Sequence, residues 1–137
     1  MIKSHDPAAI HPPLGSYTHA VEIPGNMRVL TVSGQVGVKP DGSLAEGIEA
    51  QLRQAWSNIA AILNSAGMTL TDIVKITTLV VRQEDLKVHP RIRSEMLGSH
   101  RAAATGFCVS ALATPDVLCE IEVMAAAAPC PTVGVSI

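Results

Sequence analysis

The stretch Ile73–Val81 constrains the fold more than any other part of this chain. It is apolar on both faces, opens with the β-branched residues Ile73, Val74, Ile76 and Thr77 around a single Lys75, and is too short to prefer a helix. A run of that kind reads as a central strand of a sheet. Just before it, Ile48, Leu52, Ala55, Ile59, Ile62 and Ala66 recur at spacings of three and four, and Trp56 and Leu63 widen the stripe. The spacing predicts a helix of about six turns over 46–66, laid across the sheet and closed by Gly67.

The other elements follow from local signals. Residues 18–23 and 28–33 flank the turn-forming Pro24-Gly25-Asn26 and read as a hairpin. Gly34 to Gly47, with Pro40-Asp41-Gly42 inside it, reads as a loop or short edge structure. A more polar helix is expected over Glu84–Leu97, with Pro90 in its first turn or bending it. Residues 105–113 and 117–126 flank Ala113-Thr114-Pro115-Asp116 and read as a second hairpin. The order ββ, α, β, α, ββ predicts an α/β (α+β) fold, an antiparallel or mixed sheet with both helices on one face. At 137 residues, one domain spanning 1–137 and one core are expected, with 129–137 a loosely ordered tail.

Hydrophobic residues make up 47% of the chain but aromatics only 2%, so Val, Ile, Leu, Ala and Met must fill the core. The formal charge of −2 comes from 10 basic and 12 acidic residues with no basic run, which argues against nucleic acid as a partner. Met1 to Pro13 does not read as a signal peptide. The longest apolar stretch near the C-terminus is interrupted by Glu120 and Glu122, far short of the ~20 residues that span a bilayer, so no membrane partner is expected. Cys108, Cys119 and Cys130 are odd in number and lack C-x-x-C spacing, which suits a reducing compartment, by default the cytoplasm. Were 105–113 and 117–126 neighbouring strands, Cys108 and Cys119 would come close; two small buried hydrophobes is the favoured reading.

No two of His5, His11, His19, His89 and His100 share a metal-ligand spacing, so no metal is expected. Gly34-Gln35-Val36-Gly37 lacks the third glycine and the Lys-Ser/Thr of phosphate loops, and Ser33 does not sit in a nucleophile elbow. Glu120 and Glu122, two apart on the last strand, point to one face of the sheet. On a solvent face such a pair is ordinary. Covered by another subunit, one carboxyl would be partly desolvated and able to pass protons near neutral pH.

Residues Ala111 to Ala125, with Glu120-Ile121-Glu122 after a short acidic turn, resemble the C-terminal signature of the Rid family of reactive intermediate deaminases, also labelled endoribonuclease L-PSP. Gly15 to Ala20, Val32-Ser33-Gly34-Gln35 leading into Pro40-Asp41-Gly42, and the helix from Gln51 through Asn58 to Gly67 followed by Asp72 to Lys75 agree with it. The resemblance covers about residues 7–127. It implies a ββαβαββ fold of the chorismate-mutase type, assembled as a homotrimer with ligand clefts between subunits, and chemistry that needs no cofactor.

The resemblance also implies the site. In deaminating relatives the cleft is lined by a tyrosine matching Tyr17, a serine and glycine matching Ser33 and Gly34, and a glutamate matching Glu120, which is therefore expected to face the ligand in preference to Glu122. The relatives' arginine for the substrate carboxylate falls at Ala104 in this chain, or at Thr105 if the loop is aligned one residue shorter, next to Gly106; neither is basic. Arg101, three residues upstream of Ala104, is the candidate cation nearest in sequence. The asparagine that some members carry in the second helix is not evident in this chain, His89 or Pro90 being nearest. The function implied is hydrolysis of a reactive enamine or imine without the usual anchor for a carboxylate. Alternatives are a non-catalytic trimer that binds a ligand or partner and, less favoured, a ribonuclease or translation inhibitor.

Overall fold

A computed structural model describes residues 1–131, so the terminal part of the expected loose tail, 132–137, lies outside the described residues. The elements are β1 (Lys3–His5), β2 (Ala20–Glu22), β3 (Arg28–Gln35), α1 (Ile48–Ser65), β4 (Ile73–Val80), α2 (His89–Leu97), β5 (Ala103–Cys108) and β6 (Cys119–Ala127). A four-stranded mixed sheet has the order β3-β6-β4-β5, in which β4 and β5 are parallel and the other two pairings antiparallel. β1 and β2 form a separate antiparallel ribbon.

Alternation along the strands assigns the two faces. Val32, Ile76, Val80, Cys119, Ile121, Val123 and Ala125 join Leu52, Ala55, Trp56, Ile59, Leu63, Ile92 and Leu97 in one cluster, so both helices cover the same face. On the other face, the register aligns Thr77 with Thr105 and Glu122, and Leu79 with Phe107 and Glu120. The β4 strand is central, as its two-sided apolar character requires. α1 ends as predicted: Gly67 adopts φ 68°, its N–H donates to the Asn64 carbonyl, and the Met68 N–H donates to the Leu63 carbonyl. That is a Schellman closure, which favours glycine at the positive-φ position.

Three expectations are corrected. Residues 20–22 and 28–35 do not form a hairpin, because β2 pairs with β1 while β3 pairs with β6. The exposed three-residue β2 gains its support from the N-terminal segment, where Asp6 accepts bonds from the Thr18 hydroxyl (2.8 Å) and the His19 N–H (2.7 Å). β5 and β6 are not neighbours either, since β4 lies between them. The apolar β6 takes the inner place, where two strands satisfy its backbone, and the largely exposed β5 takes the edge. Cys108 and Cys119 consequently lie on opposite sides of Val80, two strand spacings or roughly 10 Å apart, too far for a disulfide. Cys119 is buried, which pushes its thiol pKa up to about 12, whereas Cys108 is exposed on the edge strand, so only one of the pair is the buried hydrophobe expected. Finally, α2 begins only at His89. Pro90 in its first turn has no N–H to offer the Leu86 carbonyl, and Gln83–Lys87 closes as a 3-10 turn instead.

α1 also fixes the loops that flank the sheet. Gln51 is buried; its amide nitrogen donates to the Asp116 carbonyl (2.9 Å) and its amide oxygen accepts from the Leu118 N–H (2.8 Å). Asn58 donates to the carbonyls of Val36 and Val38 at 3.3 and 2.9 Å. Gly37 lies so close to α1 that a Cβ there would fall 2.5 Å from the Gln51 Cα. No helix among the described residues is long and apolar enough to cross a membrane. Gln51→Ala leaves a buried N–H and C=O unpaired, so a loss of about 2–4 kcal/mol is expected. Thermal denaturation should show it as a fall in Tm of roughly 10 °C.

Candidate functional site

The residues singled out in the sequence fall into two groups within one chain. The first forms where β3 leaves the sheet. Its register with β6 passes from Val32 opposite Val123 to Gln35 opposite Ile121, a three-residue step against two, so β3 bulges at Ser33 and Gly34. The bulge brings Gly34 under the Glu120 carboxylate: a Cβ at 34 would lie 2.7 Å from Glu120 Cδ and 2.9 Å from Cγ. A side chain at 34 would therefore push the Glu120 carboxylate out of this seat. Glu120 is half-buried in this seat, Glu122 is exposed, and Ser33 is exposed beside them. Gln51 and Asn58 hold the loops at the ends of the two strands.

The second group surrounds a cavity of about 320 Å³ beside the edge strand β5. Leu14, Gly15 and Tyr17 line it from the N-terminal segment, Ala104, Thr105 and Gly106 from β5, Thr78 from β4, and Leu86, His89, Pro90 and Arg93 from the 3-10 turn and α2. The N-terminal wall is tied down on both sides. The Thr18 N–H donates to the Ala102 carbonyl, and the Leu14 N–H donates to the Tyr17 hydroxyl at 3.1 Å. Asp6, whose bonds from His19 and Thr18 hold its pKa below the ordinary carboxylate value, anchors the strand start. Ala104 and Gly106 are aligned with the buried Ile76 and Thr78, hence toward the helices, whereas Thr105 is aligned with Thr77 on the other face and receives a bond from Lys75 at 2.9 Å.

Ser33, Gly34 and Glu120 do not line this cavity, and neither does Arg101. Leu79 separates Glu120 from Phe107, placing Glu120 roughly 10 Å from β5. Arg101 is exposed and donates to the Gly98 and His100 carbonyls (2.8 and 3.1 Å) just past the end of α2.

Sequence reasoning missed Arg93 and the role of His89. Along α2, His89, Arg93 and Leu97 recur at i, i+4 and i+8 and are buried, a stripe legible in the sequence had an arginine been admitted to it. Arg91 and Glu95 point outward instead and pair with Glu49 (3.1 Å) and Arg53 (2.7 Å) of α1. The His89 ring lies within 5° of parallel to that of Trp56, ring centroids 5.9 Å apart, and meets it edge to edge. Indole N–H only donates, so its 3.2 Å bond makes His89 Nε2 an acceptor, and Nδ1 carries the proton toward the Thr78 hydroxyl at 3.1 Å. Burial, followed by the charge of Arg93, lowers the His89 pKa to about 3.

Comparison with known proteins places these features in a family. The sequence model described as Endoribonuclease L-PSP matches residues 7–127. The RutC family protein PH0854 of Pyrococcus horikoshii is 36% identical over 115 residues, covering 82% of this chain and 88% of that protein. The 2-iminobutanoate/2-iminopropanoate deaminase of Salmonella typhimurium is 38% identical over 122 residues, 87% of this chain and 90% of that one. Among solved structures, the Rid-family protein YyfB of Yersinia pestis, described as of unknown function, superposes with a TM-score of 0.81 at 32% identity, over 90% of this chain and 97% of the other.

The His89 environment yields a pH dependence. Its folded pKa of about 3 lies below the ordinary value of 6.5, so below pH 6.5 the unfolded chain takes up a proton that the folded chain refuses. This residue's contribution to stability is present above pH 6.5 and falls as pH drops from 6.5 toward 3. At pH 5 the loss is about 2 kcal/mol relative to pH 8. Denaturant titrations of the natural protein and His89→Gln at the two pH values measure it as a difference of differences. Equal pH profiles for the two proteins would show that His89 is not held neutral.

Proposed function

Because the chain belongs to the Rid family, whose sequence model is described as Endoribonuclease L-PSP, we propose that it hydrolyses small reactive enamines or imines in a cleft formed between copies of itself, with Glu120 moving the protons. The observation that carries this reading is the half-buried Glu120 carboxylate seated on the Gly34 backbone. The name of the Salmonella typhimurium relative, a 2-iminobutanoate/2-iminopropanoate deaminase, supports the reaction class. In the proposed step, water adds to the imine carbon while Glu120 takes one of its protons and returns it to nitrogen, giving a carbinolamine; Glu120 then carries the hydroxyl proton to the amino nitrogen, the C–N bond breaks as the C=O forms, and a carbonyl compound and ammonia leave. An enamine first gains a proton at carbon to become the imine.

Assembly follows from the same reading. Within one chain, Glu120 with Gly34 and Ser33 stands apart from the cavity lined by Tyr17, Ala104, Thr105 and Gly106, so each chain supplies two half-sites that a second copy completes. Val29 and Phe107, 52% and 50% exposed, give the sheet apolar surface that a partner would cover. A homotrimer is the proposed form, to be read by light scattering coupled to size exclusion, and a stable monomer would remove the composite cleft.

The reaction is tested with 2-iminobutanoate generated in situ, followed above its spontaneous decay. Glu120→Gln should lower the rate by about 100-fold or more, and Glu122→Gln by no more than roughly threefold. Equal losses, or loss only from Glu122→Gln, would overturn the assignment. A natural protein with no activity above background, yet trimeric and ligand-binding, would favour the non-catalytic alternative.

A further inference from the structure

Arg93 is 8% exposed, and its Nε is enclosed with no hydrogen-bond partner among the described residues. No ion pair among the described residues includes it. Every other arginine has a partner: Arg28 donates to the Ala66 carbonyl, Arg53, Arg82 and Arg91 pair with carboxylates, and Arg101 donates to carbonyls. A buried cation left unpaired is among the costliest arrangements in a fold, and a guanidinium cannot escape by losing its proton. The group lines the β5 cavity, and among the described residues none that lines the cavity is acidic. His89, its neighbour there, is held neutral by burial and by the charge of Arg93 itself, and the nearby Arg101 adds like charge.

We propose that Arg93 makes this cavity a binding site for a small aliphatic carboxylate, holding from α2 the group for which β5 offers no cation. The chemistry of the walls selects the class. One planar guanidinium fork matches the two oxygens of a carboxylate, while a phosphate would call for more donors than the cavity shows. Leu14, Leu86, Pro90 and Ala104 supply apolar wall for a short carbon chain. Ala104 lies on the helix-facing side of β5, the side from which Arg93 approaches, so a small residue on the strand leaves that space to a side chain from the helix. The sequence expectation that the site lacks a carboxylate anchor is thereby replaced: the anchor is displaced from strand to helix. The inference rests on the preceding reading for the reaction, but not for binding.

The test uses the full chain and two probes of nearly equal shape, pyruvate and its neutral amide, pyruvamide, titrated by calorimetry and by the side-chain Nε–H resonances of the arginines. The natural protein should bind pyruvate roughly tenfold or more tightly than pyruvamide, with the Arg93 resonance moving. Equal affinities would overturn the proposal without any variant. Arg93→Met, which keeps the stem and removes the charge, should abolish that preference while melting no lower than the natural protein; Arg93→Lys should restore part of it. Retained preference in Arg93→Met, or loss matched by a lower Tm in every Arg93 variant, would assign the residue a structural role only. With 2-iminobutanoate, Arg93→Met should raise KM by more than it lowers kcat. If Glu120→Gln leaves hydrolysis intact while pyruvate preference still depends on Arg93, the catalytic reading fails and this one stands. If Glu120→Gln abolishes hydrolysis while Arg93→Met binds pyruvate as before, the reverse holds.

Discussion

The placement of β6 between β3 and β4 is the constraint on which the rest of the structure depends. Strand side chains alternate, so this one pairing puts Cys119, Ile121, Val123 and Ala125 under the helices and sends Glu120 and Glu122 to the opposite face. A slip of one residue would bury two carboxylates and expose two branched apolar side chains, which is why the register is strongly determined. Gln51 fixes it from outside the sheet by binding both Asp116 and Leu118 just before the strand begins. The proposed proton carrier therefore owes its position to an amide on the other side of the core.

Which elements form was largely legible in the sequence, and which elements pair was not. The period of α1, its glycine closure and the two-sided apolar run of β4 are properties of contiguous residues, and the chain carries them openly. Pro24-Gly25-Asn26 and Ala113 to Asp116 are equally clear turn signals, yet a turn states only that the chain changes direction. Its flanking strands pair with whatever satisfies their backbones and buries their apolar faces, and in both cases the better partner was distant: β6 for β3, and β4 for β6. The second helix was misjudged at its start for a local reason, since a proline removes the N–H that would have tied the preceding turn to it.

Much the same divide runs through the candidate site. The parity of Glu120 and Glu122 could be read from spacing, whereas the seat under Glu120 depends on a bulge whose one local signal, Gly34 at the end of a strand pattern, reads equally well as the start of a loop. Arg101 was the nearest cation in sequence to Ala104, but α2 reverses the relation in space. Arg101 caps the helix end with its bonds to Gly98 and His100, and Arg93, on the helix stripe of His89 and Leu97, reaches the cavity. An arginine in a polar helix reads as solvent-facing by default, and the outward ion pairs of Arg91 show how often that default holds.

Those outward pairs bear on the cavity as well. Exposed ion pairs of this kind contribute little to stability singly, but Glu49, Arg53, Arg91 and Glu95 join α1 to α2 at several points and so oppose rotation of α2 about its axis. With that face turned to solvent, the stripe four residues apart must turn inward, His89 against Trp56 and Arg93 into the cavity. The only tryptophan in the chain then acts as more than core filling. By donating to His89 Nε2 it fixes the tautomer of an imidazole that burial and the charge of Arg93 hold neutral, since a protonated ring would have no lone pair left to accept the indole N–H. No second cation forms beside Arg93, and among the described residues the cavity holds one positive group with no carboxylate against it.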